Sequence, residues 1–255
     1  MALTQADIAR VKALGFLRNR GTELFSGRIV PTGTVFTAWE LIATAELAAR
    51  FGNGKVIPTV RMTLELPGIP YERIDEAISF AAARGLRFGG TGAKIRPVTS
   101  CKGTTCVFGM YDDTQAMCRA IHEQYYLGWN KVSLPHKFKI AVGGCPNSCI
   151  KPSLNDFGIE GRRTPDGVRF QLYIGGTWGR TTRMGSAFPR LVEKEEIFPL
   201  LEKTMLWFRE NAYQRERLGS AIDRVGTDAL FTALESDDLL NRKDEILAAP
   251  LLQKP

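Results

Sequence analysis

No apolar run in this sequence approaches the roughly 18 residues that a membrane-spanning helix requires. The N-terminus, Met1-Ala2-Leu3-Thr4-Gln5, lacks the basic stretch followed by an apolar one that marks a secretory signal. A cytoplasmic protein is therefore expected. The net charge of +7 raises the question of nucleic acid, yet Lys and Arg are scattered. No basic run is interleaved with stacking aromatics, which argues against a single-strand groove. There is no Gly-rich fingerprint opening a βα unit, so no dinucleotide site is expected. No C-x2-C-x2-C-x3-C run is present, so no built-in ferredoxin is expected either, and no internal repeat is evident.

What is present centres on cysteine. Four of the five cysteines fall between Cys101 and Cys149, in a C-x4-C pair (Cys101, Cys106) and a C-x3-C pair (Cys145, Cys149). An odd number grouped by motif points to metal in a reducing compartment rather than to disulfides. Structural zinc favours tight C-x2-C knuckles. These looser spacings, with Gly103, Gly143 and Gly144 allowing close backbone approach, better seat a bulkier four-iron cube. Zinc and buried, unligated thiols stand as alternatives. Cys118 belongs to neither pair and reads as core; His122 has no partner at ligand spacing and reads as structural. Lys137 and Lys139 alternate on an expected strand and so share a face. Two ammonium groups side by side repel, so an anion between them would account for the pair.

Composition is that of a globular chain of one or two domains, 44% hydrophobic and 24% charged. Thr4 to Asp7 reads as a capping box for a helix through about Leu17, and Thr37 as the cap of a second helix ending at Gly52. Strands are expected at 23–30 and 55–66, the latter at an edge or starting late because of Pro58. Pro70 starts a further helix, and Gly85 to Gly92 lead into a strand ending near Thr99. Helices are expected at about 113–127 and 199–210, and a strand at 170–174. Alternating strands and helices in the first part indicate an α+β fold.

Taken together, the two cysteine pairs and the run Leu134-Pro135-His136-Lys137-Phe138-Lys139 resemble the sirohaem-dependent sulfite and nitrite reductases, in their small single-module form. Arg61, Thr63, Gly68 and Ile69 match that family's Arg-x-Thr strand, with Leu64-Glu65 where Gln is often found. Lys94-Ile95-Arg96-Pro97-Val98 matches its run into the first cysteine, and the segment Lys151 to Gly161 its continuation past the last. The first pair is commonly C-x5-C in the family, so the C-x4-C here is a departure. The resemblance covers about Leu14 to Val225.

That resemblance implies a ferredoxin-like half (1–92), a sirohaem/4Fe–4S α+β domain (93–225) and a C-terminal helical tail (226–255). It implies a 4Fe–4S cluster on Cys101, Cys106, Cys145 and Cys149, with Cys149 bridging to sirohaem. Arg61, Arg96, Lys137 and Lys139 would be catalytic. Arg61, Thr63, Lys102, Asn147, Gly175, Gly176, Arg180 and Cys149 would contact the cofactors. The implied reaction is the six-electron reduction of sulfite to sulfide or nitrite to ammonia. Electrons would come from a separate protein donor, such as a ferredoxin or a reductase subunit, and an oligomer is expected. The rival reading is a non-catalytic iron–sulfur electron-transfer protein or a subunit of a larger reductase complex.

Overall fold

The computed structural model describes residues 3–109 and 113–255. The chain divides into two compact units, Met1–Gly92 and Ala93–Pro255.

In the first unit, Thr4 and Asp7 bond reciprocally at the start of α1 (Gln5–Ala13), the capping box read from the sequence. The helix is shorter than expected. The chain turns at Gly15, whose φ of +105° suits glycine, and enters β1 (Phe16–Arg18). Thr37 and Glu40 make the same reciprocal cap for α2 (Ala38–Phe51). With β2 (Leu24–Ile29), β3 (Ile57–Pro58) and β4 (Leu64–Pro70), the described strands form an antiparallel sheet of order β1-β2-β4-β3. The helix α3 (Ile74–Ala82) completes the unit. Phe16, Phe25, Ile29, Leu47, Phe51, Leu66, Ile69 and Ile74 make its core.

Two expectations are corrected here. Residues 55–66 are not one strand but a hairpin, β3 to β4. Its loop is closed by the Thr59 amide donating to the Thr63 carbonyl at 2.9 Å and pinned by Met62 at φ 57°. Pro58 does sit on the edge strand, where its missing donor costs no ladder bond. Residues 92–99 form no strand of this sheet. Phe88 makes a single bridge to Ile29, and the chain next pairs in the second unit, by a bridge from Ile95 to Phe138 and then in a strand from Thr99.

The second unit holds β5 (Thr99–Ser100), β6 (Ile140–Gly143) and β7 (Phe157–Thr164) in parallel, extended antiparallel by β8 (Gly167–Ile174) and β9 (Ser186–Ala187). Ile140, Ala141 and Val142 are all buried, as a central parallel strand requires. Phe157, Ile159, Phe170, Leu172 and Ile174 share one core with Leu201, Met205 and Phe208 of α5 (Ile197–Asn211). α4 (Thr114–Ile121) runs on as a π-helical turn, His122–Leu127. Cys118 is fully buried in the core, and buried His122 stacks on Tyr126 at 4.7 Å. After α6 (Leu218–Val225), the remaining residues form α7 (Thr227–Glu235), α8 (Asp238–Asn241) and α9 (Lys243–Ala248). Leu230, Leu234, Leu239 and Ile246 enter the same core, so this segment is packed rather than trailing.

Candidate active site

β5 and β6 are parallel neighbours, with Thr99 opposite Ala141 and Ser100 opposite Val142. Both strands therefore deliver their following residues to the same end of the sheet. Cys101 follows β5, its amide donating to the Val142 carbonyl at 3.0 Å. A 3-10 turn, Gly103–Thr105, leads on to Cys106. Beyond β6 the chain enters Cys145, and left-handed residues Ser148 and Lys151 (both φ 52°) coil the loop around Cys149. Cys101, Cys106 and Cys145 are half-buried and Cys149 is exposed; all are free thiols. Thr114, the first residue of α4, has its hydroxyl 3.3 Å from Cys101 Sγ. The positive end of that helix, capped by Asp113, thus adjoins the first pair.

Among the described residues, no three Cys, His, Asp or Glu side chains stand at the spacing of a single-ion site. Zinc requires its donors around one ion, whereas a cube takes one thiolate per iron and keeps the sulfurs apart. Two thiol pairs on loops from neighbouring parallel strands fit the cube.

In the segments that precede β5 and β6 lies a group of cations. The Arg96 amide donates to the Phe138 carbonyl at 2.7 Å, and the Phe138 amide to the Lys94 carbonyl at 3.0 Å. This short parallel pairing sets Arg96 beside the Lys137–Lys139 segment. Phe138 is fully buried, so the flanking lysines leave the other side of the chain. The segment is bridged only at Phe138, short of the expected strand, which begins at Ile140. Just before β7, Asp156 is fully buried. It accepts from the Lys139 amide at 2.9 Å and, on both oxygens, from Arg217 Nη2 at 2.9 Å. Burial pushes the Asp156 carboxyl up, and Arg217 and the Lys139 amide pull it back.

The surroundings of Lys137 and His136 are strongly positive. Burial, then Arg217 and Arg96, push the Lys137 ammonium down, with Asp156 opposing. His136 Nδ1 accepts from the Lys137 amide at 2.7 Å. Burial, then Arg217, Lys137 and Arg96, push this imidazole down to about 4. At neutral pH the ring is therefore uncharged, with its proton on Nε2. Among the described residues, neither Lys137 Nζ nor His136 Nε2 has a hydrogen-bond acceptor.

Arg61 and Thr63 belong to the first unit, on the β3–β4 loop rather than in a strand. Thr63 is buried, its hydroxyl 2.6 Å from that of Thr59. Lys102, Asn147 and Arg180 are exposed in the second unit. The reason for glycine at 175 and 176 lies within the chain. A Cβ on Gly175 would lie 2.5 Å from Ile222 Cδ1, and one on Gly176 would lie 2.4 Å from the Ser153 carbonyl. The Gly175 amide already donates to Asp156 O at 2.8 Å. Glu65, at the position of the family's frequent Gln, bonds Arg28 of β2 at 2.5 Å. Sequence reasoning missed Asp156 and Arg217. One signal existed: Arg217 precedes α6 at the helix's positive end, where a cation is disfavoured and needs another reason.

Parallel strands that deliver two thiol pairs to one end of a sheet, preceded in the chain by an antiparallel α+β unit, are the arrangement of an iron–sulfur protein. The chain belongs to the nitrite and sulphite reductase family. The family model for the nitrite and sulphite reductase 4Fe-4S domain matches residues 91–241, and that for the nitrite/sulfite reductase ferredoxin-like half domain matches residues 18–83. The family's cofactors are a 4Fe–4S cluster and sirohaem, and its members are sulfite and nitrite reductases. A nitrite reductase (NAD(P)H) of Bacillus subtilis is 28% identical over 75% of this chain and 24% of its own length. A coenzyme F420-dependent sulfite reductase of Methanocaldococcus jannaschii is 25% identical over 82% of this chain and 42% of its own. The chain thus spans less than half the length of these relatives. The Mycobacterium tuberculosis NirA protein shares the fold with a TM-score of 0.79 at 19% identity, covering 99% of this chain and 49% of that one. Dissimilatory sulfite reductase I gives 0.74 at 18% identity, over 91% and 72%.

Proposed function

We propose that this chain is a reductase module for the six-electron reduction of sulfite to sulfide or of nitrite to ammonia, fed by a separate protein donor. The observation that carries this reading is the surplus of donors around Lys137. Its ammonium lies near Arg96 and Arg217, opposed by Asp156, and has no acceptor among the described residues. Such an arrangement is costly in the bare protein and is relieved by an anion. A pure electron relay needs no such pocket, which disfavours the rival reading.

Cys101, Cys106, Cys145 and Cys149 would hold the cluster, with Cys149 shared with sirohaem, and these cofactors supply the electrons. The protein supplies charge and protons. Arg96, Lys137 and Lys139 would hold the substrate's oxygens and favour the negative charge that accumulates on them, and Arg61 of the first unit is assigned to the same anion on the resemblance alone. Because Lys137 is pushed down from its ordinary value, it gives up a proton from Nζ more readily than a solvated lysine. His136, uncharged at neutral pH, donates a hydrogen bond from Nε2 instead of a proton. Thr63, Lys102, Asn147, Gly175, Gly176 and Arg180 are assigned to the cofactor surface on the resemblance.

The test is an anaerobic absorption spectrum of the purified protein, with iron and acid-labile sulfide assayed on the same sample. Sirohaem bands with about five irons per chain are expected. About four irons without haem bands would favour the electron-transfer rival, and a colourless zinc protein would overturn the reading.

A further inference from the structure

Arg217 is held more firmly than a solvated surface arginine and has donors left over. Its side chain is 15% exposed and faces a carboxylate that is fully buried. Only Nη2 is engaged, bonding both Asp156 oxygens at 2.9 Å. Nε is buried with no hydrogen-bond partner, and Nη1 has none among the described residues. If the guanidinium served Asp156 alone, a two-nitrogen fork onto the two oxygens would be the natural geometry. Here a single nitrogen does that work, and two donors of a rigid planar group remain for something else.

The neighbours say what that something is. Arg217 is the largest charged contributor to the lowered values of both His136 and Lys137, after burial. It therefore lies within the same positive cluster as Arg96. Asp156 also takes the Lys139 amide, so one buried carboxylate fixes the Arg217 guanidinium and the Lys139 backbone together. Unsatisfied donors among net positive charge select an anion with several oxygens.

We propose that Arg217 is a further anion-binding residue of this site, oriented by Asp156 so that the donors left over from that ion pair are available to an oxyanion. That anion is either a carboxylate of the cofactor or the oxygens of sulfite or nitrite. The inference rests on the reductase reading above.

Arg217→Lys keeps a charge for Asp156 but lacks the extra donors; Arg217→Gln removes the charge. Three quantities are measured on each variant and on wild type. They are haem absorbance per chain, the sulfite dissociation constant by calorimetry, and the urea unfolding midpoint. The expected result for Arg217→Lys is a near wild-type midpoint with one of two losses. Haem content reduced to less than half places a cofactor carboxylate on Arg217. Full haem with sulfite binding weakened about tenfold or more places the substrate there. Haem content and sulfite affinity within about twofold of wild type would assign Arg217 to the Asp156 ion pair alone and overturn the proposal. So would failure of both variants to reach the wild-type midpoint, which makes the residue a requirement of the fold. A wild-type protein that takes up neither haem nor sulfite would instead sink the reductase reading, and this inference with it.

Discussion

Lys137 and His136 are adjacent, yet their surroundings give them opposite duties. Lys137 has no hydrogen-bond acceptor among the described residues, in a cluster where Asp156 opposes Arg217 and Arg96. Lys137→Ala is expected to retain cluster and haem bands while reduction of sulfite and nitrite falls about 100-fold or more. Normal turnover with both substrates would remove Lys137 from the site. His136 is charged in the unfolded chain below about 6.5 but resists protonation in the fold until about 4. Its folded value is depressed, so the unfolded chain binds more protons between those limits. Stability is then lost as pH falls from about 6.5 through about 4. His136→Gln should flatten part of that loss in urea titrations of the protein, and an unchanged pH dependence would contradict the buried, neutral ring. Lys137 and Lys139 were legible from spacing and resemblance. Asp156 and Arg217 were not, because their roles depend on each other across 61 positions of chain.

Among elements, those fixed by neighbours in sequence were readable and those fixed by pairing were not. The capping box at Thr4 and the cap at Thr37 each join residues three apart, and both formed where expected, Thr37 adding a reciprocal bond with Glu40. The β3–β4 hairpin was read as one strand because its loop lacks the Asn-Gly or Asp-Gly signal of a tight hairpin. Only pairing with β2 and β4 reveals the turn.

A further element with consequence for the site is the end of α9. Arg209 of α5 donates to the carbonyls of Ile246, Leu247 and Ala249 there, and to Ser133 at 2.6 Å. These satisfy carbonyls that a helix end leaves without partners. They also tie the C-terminal segment to the chain entering Pro135-His136-Lys137, where the Pro135 carbonyl in turn accepts from the Arg215 amide at 2.9 Å. Arg209→Ala should destabilise the protein by about 2–4 kcal/mol in urea unfolding. Arg209→Lys should recover less than half, since one ammonium cannot span four carbonyls. Full recovery by lysine would show that charge rather than the planar fork matters.

At the scale of the whole molecule, the chain spans 49% of the NirA protein, whose fold it shares over 99% of its own residues. From the family resemblance, rather than from this coverage, we propose that a second subunit, identical or different, completes the cofactor enclosure. Sedimentation of the active protein should show an assembly larger than 28.3 kDa. A monodisperse monomer with full activity would refute this.

The sequence by itself determined the metal-binding residue types, their pairing by spacing, the helix caps and the family. Each of these is written in residues close together or in a motif read as a unit. The tertiary structure alone decided which loops meet. β5 and β6 are separated by the whole of α4 and its π-helical extension, and only their parallel pairing sends both cysteine loops to one end of the sheet. The same holds for the buried Asp156–Arg217 pair. A carboxylate and a guanidinium in sequence are, by default, solvated surface. Burial of both against the Lys139 backbone joins them to the Lys137–Lys139 segment, and burial is a property of the packed chain, absent from any local stretch of it.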